Sequence, residues 1–550
     1  MESACIFPLA IEDHRFKTSP RSPSSEWKVD VLNNSMAPVR YMHQPTLEKA
    51  EALDNWVWDL VKQIIAKLPE ESFTESTINP GSSSQLIHCP SVSPSPLRGA
   101  LSGSSSQPVT KATGSLERTT YLRPTYVRLQ TSSLVAGRVA SSTSTLSSQL
   151  TTEAKENDLQ MTKNRLQPGN AAVIGLRRVE GAGGSADAMT RLEFPMANSC
   201  VYSIFSGQPV ILRATNPTGR QLNVTDVFTT MFYSMRPTLF TPIRSAVPKA
   251  KCAQAVEYWS FVLFFSQLNF MSDLCVMVAT GPYTFANSND PSLLLTFLRE
   301  VKRNRPHVLI LLGPIVDANH PVVQTYCETT YEELFQSRLN SVAEYCSHLD
   351  VQLIVVPSWR DAHHDPVYPT PPFDSDWTQQ TTELIGHFRN VHFVWDPTVV
   401  SIGGYVFGFT SVDVLFHLSS EEISSGCSGD RMARLCQHIL SSRTFYPVHP
   451  PADDLPLDYV LWTQRAQLSS APHCLICPSR LRQFVKDVDG VLCINPGHVS
   501  RGQSSGSYAT ITIHTDTPND HEHGISDDAA NGSTCSWSIA NRTAVHVYRL

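Results

Sequence analysis

The sequence is poor in charge. Asp, Glu, Lys and Arg supply 17% of its 550 residues, and 43 basic side chains face 50 acidic ones. A formal charge of −7 argues against a free-standing DNA binder, which needs a net basic face to release counterions. It leaves room for a small basic patch. Long apolar runs are also missing. The most apolar stretch, Val256–Phe265, is ten residues, and a membrane helix needs about 20. The first residues lack the basic start and apolar run of a signal peptide. A disulfide framework is absent too. The 13 cysteines are odd in number and scattered, which fits reduced thiols in cytosol or nucleus. Cys474 and Cys477 form a lone CxxC without a second pair at zinc-finger spacing, so they read as core thiols. No Walker or kinase motif occurs. Gly181–Gly184 precedes no helix and is a turn, not a phosphate cradle.

What is present changes along the chain. Residues 1–40 are polar and read as a flexible arm. Residues 41–70 hold a helix, because Leu53, Val57, Leu60, Val61, Ile64, Ile65 and Leu68 recur at three- and four-residue steps. Residues 71–166 are rich in Ser and Thr, which make up 30 of the 80 residues 71–150. Such a segment buries too little apolar surface to offset chain entropy, so the composition predicts a disordered insertion. Short β-like runs broken by Gly, Pro and Asn fill residues 167–245 and predict a small barrel or sandwich. Residues 246–272 read as an insertion or connector. From 273 to 515 the pattern is α/β, with buried strands at LCVMVAT and HVLILL and helices at Pro291–Arg303, Tyr331–Leu349 and Arg431–Arg443. Residues 516–550 carry a polar stretch and then TAVHVYRL, which alternates like a last sheet strand.

The β-α-β-α-β order implies parallel strands, and such sheets place ligands at the strands' carboxyl ends. That layout invites a two-metal phosphoesterase, which needs a dense set of Asp, His and Asn ligands around two cations. The ligand positions are nearly all lost. The first strand ends on Thr280-Gly281-Pro282, and the second on Gly313-Pro314, with Asp317 three residues on. The third ends on Pro357-Ser358-Trp359 and is followed by Arg360-Asp361, while the late loop keeps only His498. Proline cannot ligate through its side chain, and an arginine repels a cation. Thr280, Pro282, Pro314, Asp317, Arg360, Asp361 and His498 therefore read as a vestigial site with no catalytic set, no metal and no cofactor. His363 and His364 are adjacent, so in extended chain they point to opposite faces.

The strings VMVATGPYTF, VLILLGPIVDANHP, VVPSWRDAHHDPVYPTPPF, RTFYPVHPP and CPSRLRQFVKDVDGVLCINPGHVSRGQ occur in order between Leu274 and Tyr508. Together they resemble the B-subunit family of DNA polymerase alpha. The similarity extends upstream to TRLEF, YSIFSGQPVILRATNPTGRQL and RYMHQPTLEKAEALDNWVWDL. It implies an α+β and α/β multidomain fold: an OB-fold barrel at 167–245 and an inactive, calcineurin-like phosphoesterase-type sandwich at 273–515 that lacks metal ligands. It implies a non-catalytic scaffold in the nucleus. The partners implied are the zinc-binding C-terminal domain of the polymerase catalytic subunit, and primase subunits through the complex. DNA is contacted indirectly or weakly, and no membrane is involved. Set beside the family, the sequence is expected to lack the family's N-terminal globular domain, because the helix that precedes the barrel already begins near Tyr41. Ser95, in Ser-Pro-Leu-Arg, fits the cyclin-dependent kinase sites of the family's linker, and phosphate there would add about −1.5 to −2 charge to a basic segment. Two rival readings stay open. One is an active phosphoesterase or nuclease remodelled around Asp317, Asp361, His363 and His498; the other is an accessory subunit of a different B-family polymerase.

Overall fold

The computed structural model describes residues 4–5, 27–32, 42, 45–67, 123–124, 129–142, 165–178, 189–194, 201–218, 221–229, 273–325, 329–373, 390–514 and 539–550. Ser95, the apolar run Val256–Phe265, the connector at 246–272 and all of residues 71–122 lie outside them.

Two short strands come first, β1 (Ala4–Cys5) and β2 (Val29–Val31), then the helix α1 (Thr46–Lys67). Its apolar positions Trp56, Val57, Leu60, Val61, Ile64 and Ile65 are all buried, as the three- and four-residue spacing requires. A strand-rich unit follows: β3 (Arg123–Pro124), β4 (Leu129–Ser141), β5 (Ala171–Arg178), β6 (Thr190–Glu193), β7 (Tyr202–Ile204), β8 (Pro209–Asn216) and β9 (Gln221–Thr229). Five of these close on themselves in the order β4-β5-β6-β9-β8 and back to β4. Every pairing in the ring is antiparallel except β6 with β9. Val135, Val139, Val173, Leu192, Val210, Leu212 and Leu222 fill its interior.

The ring corrects the expectation for 71–166. Its first strand, β4, lies inside the block that composition marks as disordered, and the barrel starts well before residue 167. Within that block LVAGRVA is a compact apolar run. Averaging over the surrounding Ser and Thr hides it. Small residues suit the strand, because it is flanked on both edges and packed on α1.

The remaining residues build four layers. The first sheet has the order β1-β23-β22-β10-β11-β12-β13. Its strands are β10 (Leu274–Thr280), β11 (Val308–Leu312), β12 (Gln352–Val356), β13 (Val391–Phe393), β22 (Ser507–Ile513) and β23 (Thr543–Arg549), with β1 on the edge. From β10 to β13 the pairing is parallel, with α2 (Ser292–Asn304), α3 (Pro321–Thr325) and α4 (Tyr331–His348) as crossovers. The second sheet runs β18-β19-β17-β15-β14-β2. It comprises β14 (Thr398–Ile402), β15 (Tyr405–Phe409), β17 (Cys474–Ile476), β18 (Phe484–Val488), β19 (Val491–Asn495) and β2. Between these lie α5 (Val414–Glu421), β16 (Ile423–Ser425), α6 (Arg431–Ser442) and α7 (Tyr459–Arg465), and a small hairpin, β20 (Ser500–Arg501) and β21 (Ser504–Ser505), precedes β22. The two sheets face each other across Val276, Val278, Ile310, Phe407, Phe409, Cys474 and Ile494. Helices α2 and α4 cover the far side of the first sheet. Helices α1, α5, α6 and α7 cover the second. The architecture is a mixed α/β multidomain fold. Cys474 and Cys477 are buried free thiols in it. Among the described residues no helix is long and apolar enough to cross a membrane.

The arm also departs from expectation. Trp27 is buried against the His307 ring, 5.8 Å away, and β2 pairs with β14. Gly403 makes this possible. Its φ is +56°, and a Cβ there would stand 2.4 Å from Trp27 Cε3. Gly403→Ala should therefore cost about 2–3 kcal/mol, from a left-handed alanine and an overpacked indole. Denaturant unfolding checks it, and an unchanged midpoint would remove Trp27 from that slot.

Candidate functional site

The loops at the carboxyl ends of β10, β11 and β12 meet at one place. Consecutive backbone bonds set their spacing. The Gly281 N–H donates to the Leu312 carbonyl at 2.9 Å, and the Gly313 N–H to the Val356 carbonyl at 2.8 Å. Gly281-Pro282 and Gly313-Pro314 are both cis. Glycine is required at both turns, because a Cβ on Gly281 would lie 2.1 Å from the Pro314 carbonyl oxygen. One on Gly313 would lie 2.7 Å from Asp361 Oδ2.

Asp361 holds this junction together. Its Oδ1 accepts from the backbone N–H groups of Ile315 and Val316, at 2.5 and 3.1 Å, and its Oδ2 from that of Ser358 at 2.9 Å. Burial pushes the carboxyl up to about 7, against these donors, and Asp317 adds to the rise. Asp317 is itself engaged. Its Oδ2 accepts from the Arg360 guanidinium and its Oδ1 from Asn319 N–H at 3.0 Å. A backbone bridge ties Asp317 to Asp361. His498 Nδ1 donates to the Gly281 carbonyl at 2.8 Å, and burial pulls its pKa down. Thr280 and Tyr283 are buried, and the Tyr283 hydroxyl bonds to the Ala279 and Leu312 carbonyls.

The seven residues singled out in the sequence are thus brought to one junction. Their polar atoms are largely taken up by backbone groups and by one another. His363 and His364 depart from expectation. The chain turns here, with His364 N–H bonded to the Asp361 carbonyl at 3.0 Å, so it is not extended. Both rings lie against one aromatic pair, His363 at 4.8 Å from Phe335 and His364 at 5.3 Å from Phe373. Burial pushes His363 down to about 4. Among the described residues no group of three His, Cys, Asp or Glu is placed to hold a metal ion.

A second polar cluster escaped the sequence reading. It sits where the ring meets the two-sheet unit, beside the antiparallel pairing of β7 with β16. Ser203 Oγ donates to Glu422 Oε1 at 2.7 Å and stands 2.9 Å from His438 Nε2. Arg434 Nε donates to the same carboxylate oxygen at 2.6 Å, and Arg431 Nε to the other at 3.1 Å. Burial pushes the Glu422 carboxyl up, but the bonds from His438, Arg434 and Ser203 outweigh it and hold the group well below the usual carboxylate range. A cleft of about 440 Å³ opens beside Ser203, lined by Tyr202, Arg434, Gln437, Asp487 and Asp489. The trio is not a nucleophilic relay. Such a relay needs an acid on the far nitrogen of the histidine. Here Glu422 shares the Nε2 side, and His438 Nδ1 is buried without a hydrogen-bond partner among the described residues.

Residues 276–486 match a family model described as the B subunit of DNA polymerase alpha/epsilon. The chain is similar to proteins named as the B subunit of DNA polymerase alpha. The one from Rattus norvegicus is 36% identical over 315 residues, 57% of this chain and 47% of the relative. That of Drosophila melanogaster is 32% identical, over 60% of this chain and 48% of its own. The one from Schizosaccharomyces pombe is 30% identical, over 57% and 51%. The chain spans about half the length of the relatives it matches. Among solved structures, that of TT1561 from Thermus thermophilus aligns with 44% of this chain and 94% of its own, at 9% identity. Its TM-score is 0.22.

Proposed function

We propose a function that starts from one premise: through residues 276–486 this chain belongs to the family of DNA polymerase alpha/epsilon B subunits. The chain serves as a non-catalytic accessory subunit of the DNA polymerase alpha–primase complex. It binds the zinc-binding C-terminal domain of the catalytic subunit, joins primase through the complex, and supports primer synthesis in the nucleus. The five-stranded ring is read as an OB-fold, supported by its closed order and its one parallel pairing. The four layered elements are read as a phosphoesterase-type sandwich whose site is vestigial.

The observation that carries this reading is the Arg360–Asp317 pair. A guanidinium occupies the one acidic side chain left on the second strand's loop, beside two prolines that offer no ligand. A dinuclear centre needs that space electronegative. The rival active phosphoesterase has the same residues but would need Asp317 and Asp361 released from their partners. Phosphorylation at Ser95 belongs to the same proposal, and mass spectrometry of S-phase material reads it.

The test is a pull-down of the purified chain with the C-terminal domains of the replicative polymerase catalytic subunits. Retention of the alpha domain alone is expected. Preference for another polymerase's domain would reassign the subunit. Manganese-dependent hydrolysis of a generic phosphodiester, lost in Asp317→Ala, would overturn the non-catalytic reading.

A further inference from the structure

The cleft beside Ser203, about 440 Å³ in volume, falls within the size range of specific ligand pockets. It has an apolar wall and an acidic lip. The wall is made by Val201 just before β7, Val227 on β9, Ala433 on α6 and Val488 on β18. Val227 and Val488 are buried and form its floor. Val201 is 56% exposed at the mouth. The backbone that carries it is fixed, because Tyr202 pairs with Ser425 and its ring stacks on Phe194 at 4.2 Å. An apolar side chain held in water at the mouth of a cleft marks an interaction site more often than a lone surface valine does.

The lip is the turn between β18 and β19. Asp489 and Gly490 are left-handed there, at φ +53° and +82°, and the Gly490 N–H donates to Asp487 Oδ1 at 3.0 Å. The turn thus holds two exposed carboxylates, Asp487 and Asp489, on the cleft. Asp489 makes no ion pair among the described residues, and its Oδ2 takes only a long bond from Gln437 Nε2 at 3.4 Å. The remaining charges on the cleft are matched. Asp430 takes Lys486 at 2.6 Å. Arg434 gives its Nε to Glu422 behind the wall, and the exposed Arg431, which does not line the cleft, shares that carboxylate. Of the four charged side chains that line the cleft, three are acidic, and the one cation already has its partner.

We propose that this cleft seats a short segment of a partner protein that carries an aliphatic or aromatic side chain next to Lys or Arg. The apolar side chain covers Val201 and fills the space over Val227 and Val488. The cation meets the carboxylates of the turn. An acidic segment or a nucleic-acid strand would bring like charge to the lip, which costs affinity and slows encounter. A wholly apolar segment would strip water from Asp489 and leave it unpaired. The volume suits a few side chains and not a folded domain. Val201 and Val227 belong to the ring, and Ala433, Val488 and Asp489 to the two-sheet unit, so the occupant also bridges the seam between them. The inference goes beyond the accessory-subunit reading and does not rest on it, since the cleft is the same whichever polymerase the chain serves.

An array of short immobilised peptides, probed with the purified full chain, tests it. Each peptide places one apolar residue between two variable positions. Binding is expected where Lys or Arg flanks the apolar residue, and not where Glu flanks it or Ser replaces it. The strongest binder is then labelled and titrated by fluorescence anisotropy. Val201→Ser should weaken binding about 3- to 12-fold, the effect of the exposed half of one valine. Asp487→Asn with Asp489→Asn should weaken it about 2- to 30-fold and remove most of its salt dependence. Both asparagines keep the turn, because Asn accepts from Gly490 and tolerates a left-handed backbone. Leu47→Ser, at a 69% exposed apolar position on α1, should change nothing. Bound peptide should slow amide exchange in β7 and β16. Absence of binding across the array would overturn the proposal, as would equal binding of peptides flanked by Glu. Unchanged affinity in both Val201→Ser and the double asparagine variant would do the same. Self-association in sedimentation that Val201→Ser abolishes would overturn it in favour of a second copy of the chain.

Discussion

Glu422→Ala should cost about 3–5 kcal/mol and loosen the ring from the two-sheet unit before either unfolds. Glu422 is 1% exposed at its side chain, and Arg434 is 12% exposed. Removing the carboxylate leaves that guanidinium and the buried His438 facing each other with nothing between them. It also strips Ser203 of its acceptor, and Ser203 lies on β7, the strand that stitches the ring to β16. The partners differ in weight. Arg431 is 49% exposed, so its pairing with Glu422 is screened and Arg431→Ala should cost under about 1 kcal/mol. Amide exchange is the direct readout, with β4 and β8 losing protection first in Glu422→Ala. The pH dependence has a definite sign. The folded-state pKa of Glu422 is depressed, so its stabilisation is complete above the ordinary value of 4.5 and is lost as pH falls below it. The gap between wild type and Glu422→Gln should therefore close in acid. A gap that widens there, or an unchanged exchange pattern in Glu422→Ala, would leave the seam held by apolar contacts alone.

Burial pattern decided what could be read from the sequence. β10, β11 and β12 are continuous apolar runs because both faces are covered. The crossovers α2 and α4 show their buried stripe at helical spacing. β2 gives no such signal. Three residues in a polar arm become a strand only because β14 supplies the partner edge, some 370 residues later. β4 was hidden by its neighbours' composition, not by its own. The junction divides in the same way. Its Pro, Asp, Arg and His residues stand at strand ends and could be named. The donors that occupy Asp361 are backbone N–H groups, which no residue letter marks. Gly281 and Gly313 could be named as turns, but only the fold shows that each lies against a neighbouring loop. Ser203 and Glu422 are separated by 219 positions, so no spacing rule connects them.

Asp361→Ala should be nearly as damaging as the loss of Glu422, for a different reason. It removes no ion pair. It leaves the N–H groups of Ile315, Val316 and Ser358 buried without acceptors, each worth roughly 1–3 kcal/mol. Local relaxation recovers part of the sum, so about 3–5 kcal/mol is expected in chemical denaturation. Asp361→Asn should fall between. Its remaining oxygen can keep Ile315 and Val316, but its amide group would face the Ser358 N–H, donor against donor, at a cost of about 1–3 kcal/mol. The order Ala, then Asn, then wild type follows if the carboxylate serves the loops. A carboxylate held for a metal would behave otherwise. Neutralising it would raise stability at the expense of activity. Denaturation of the two variants without added metal separates these cases. Destabilisation in the order given supports a junction that has turned its carboxylates to structural use. Stabilisation by Asp361→Asn would return Asp361 to the set of ligands and reopen the hydrolytic reading.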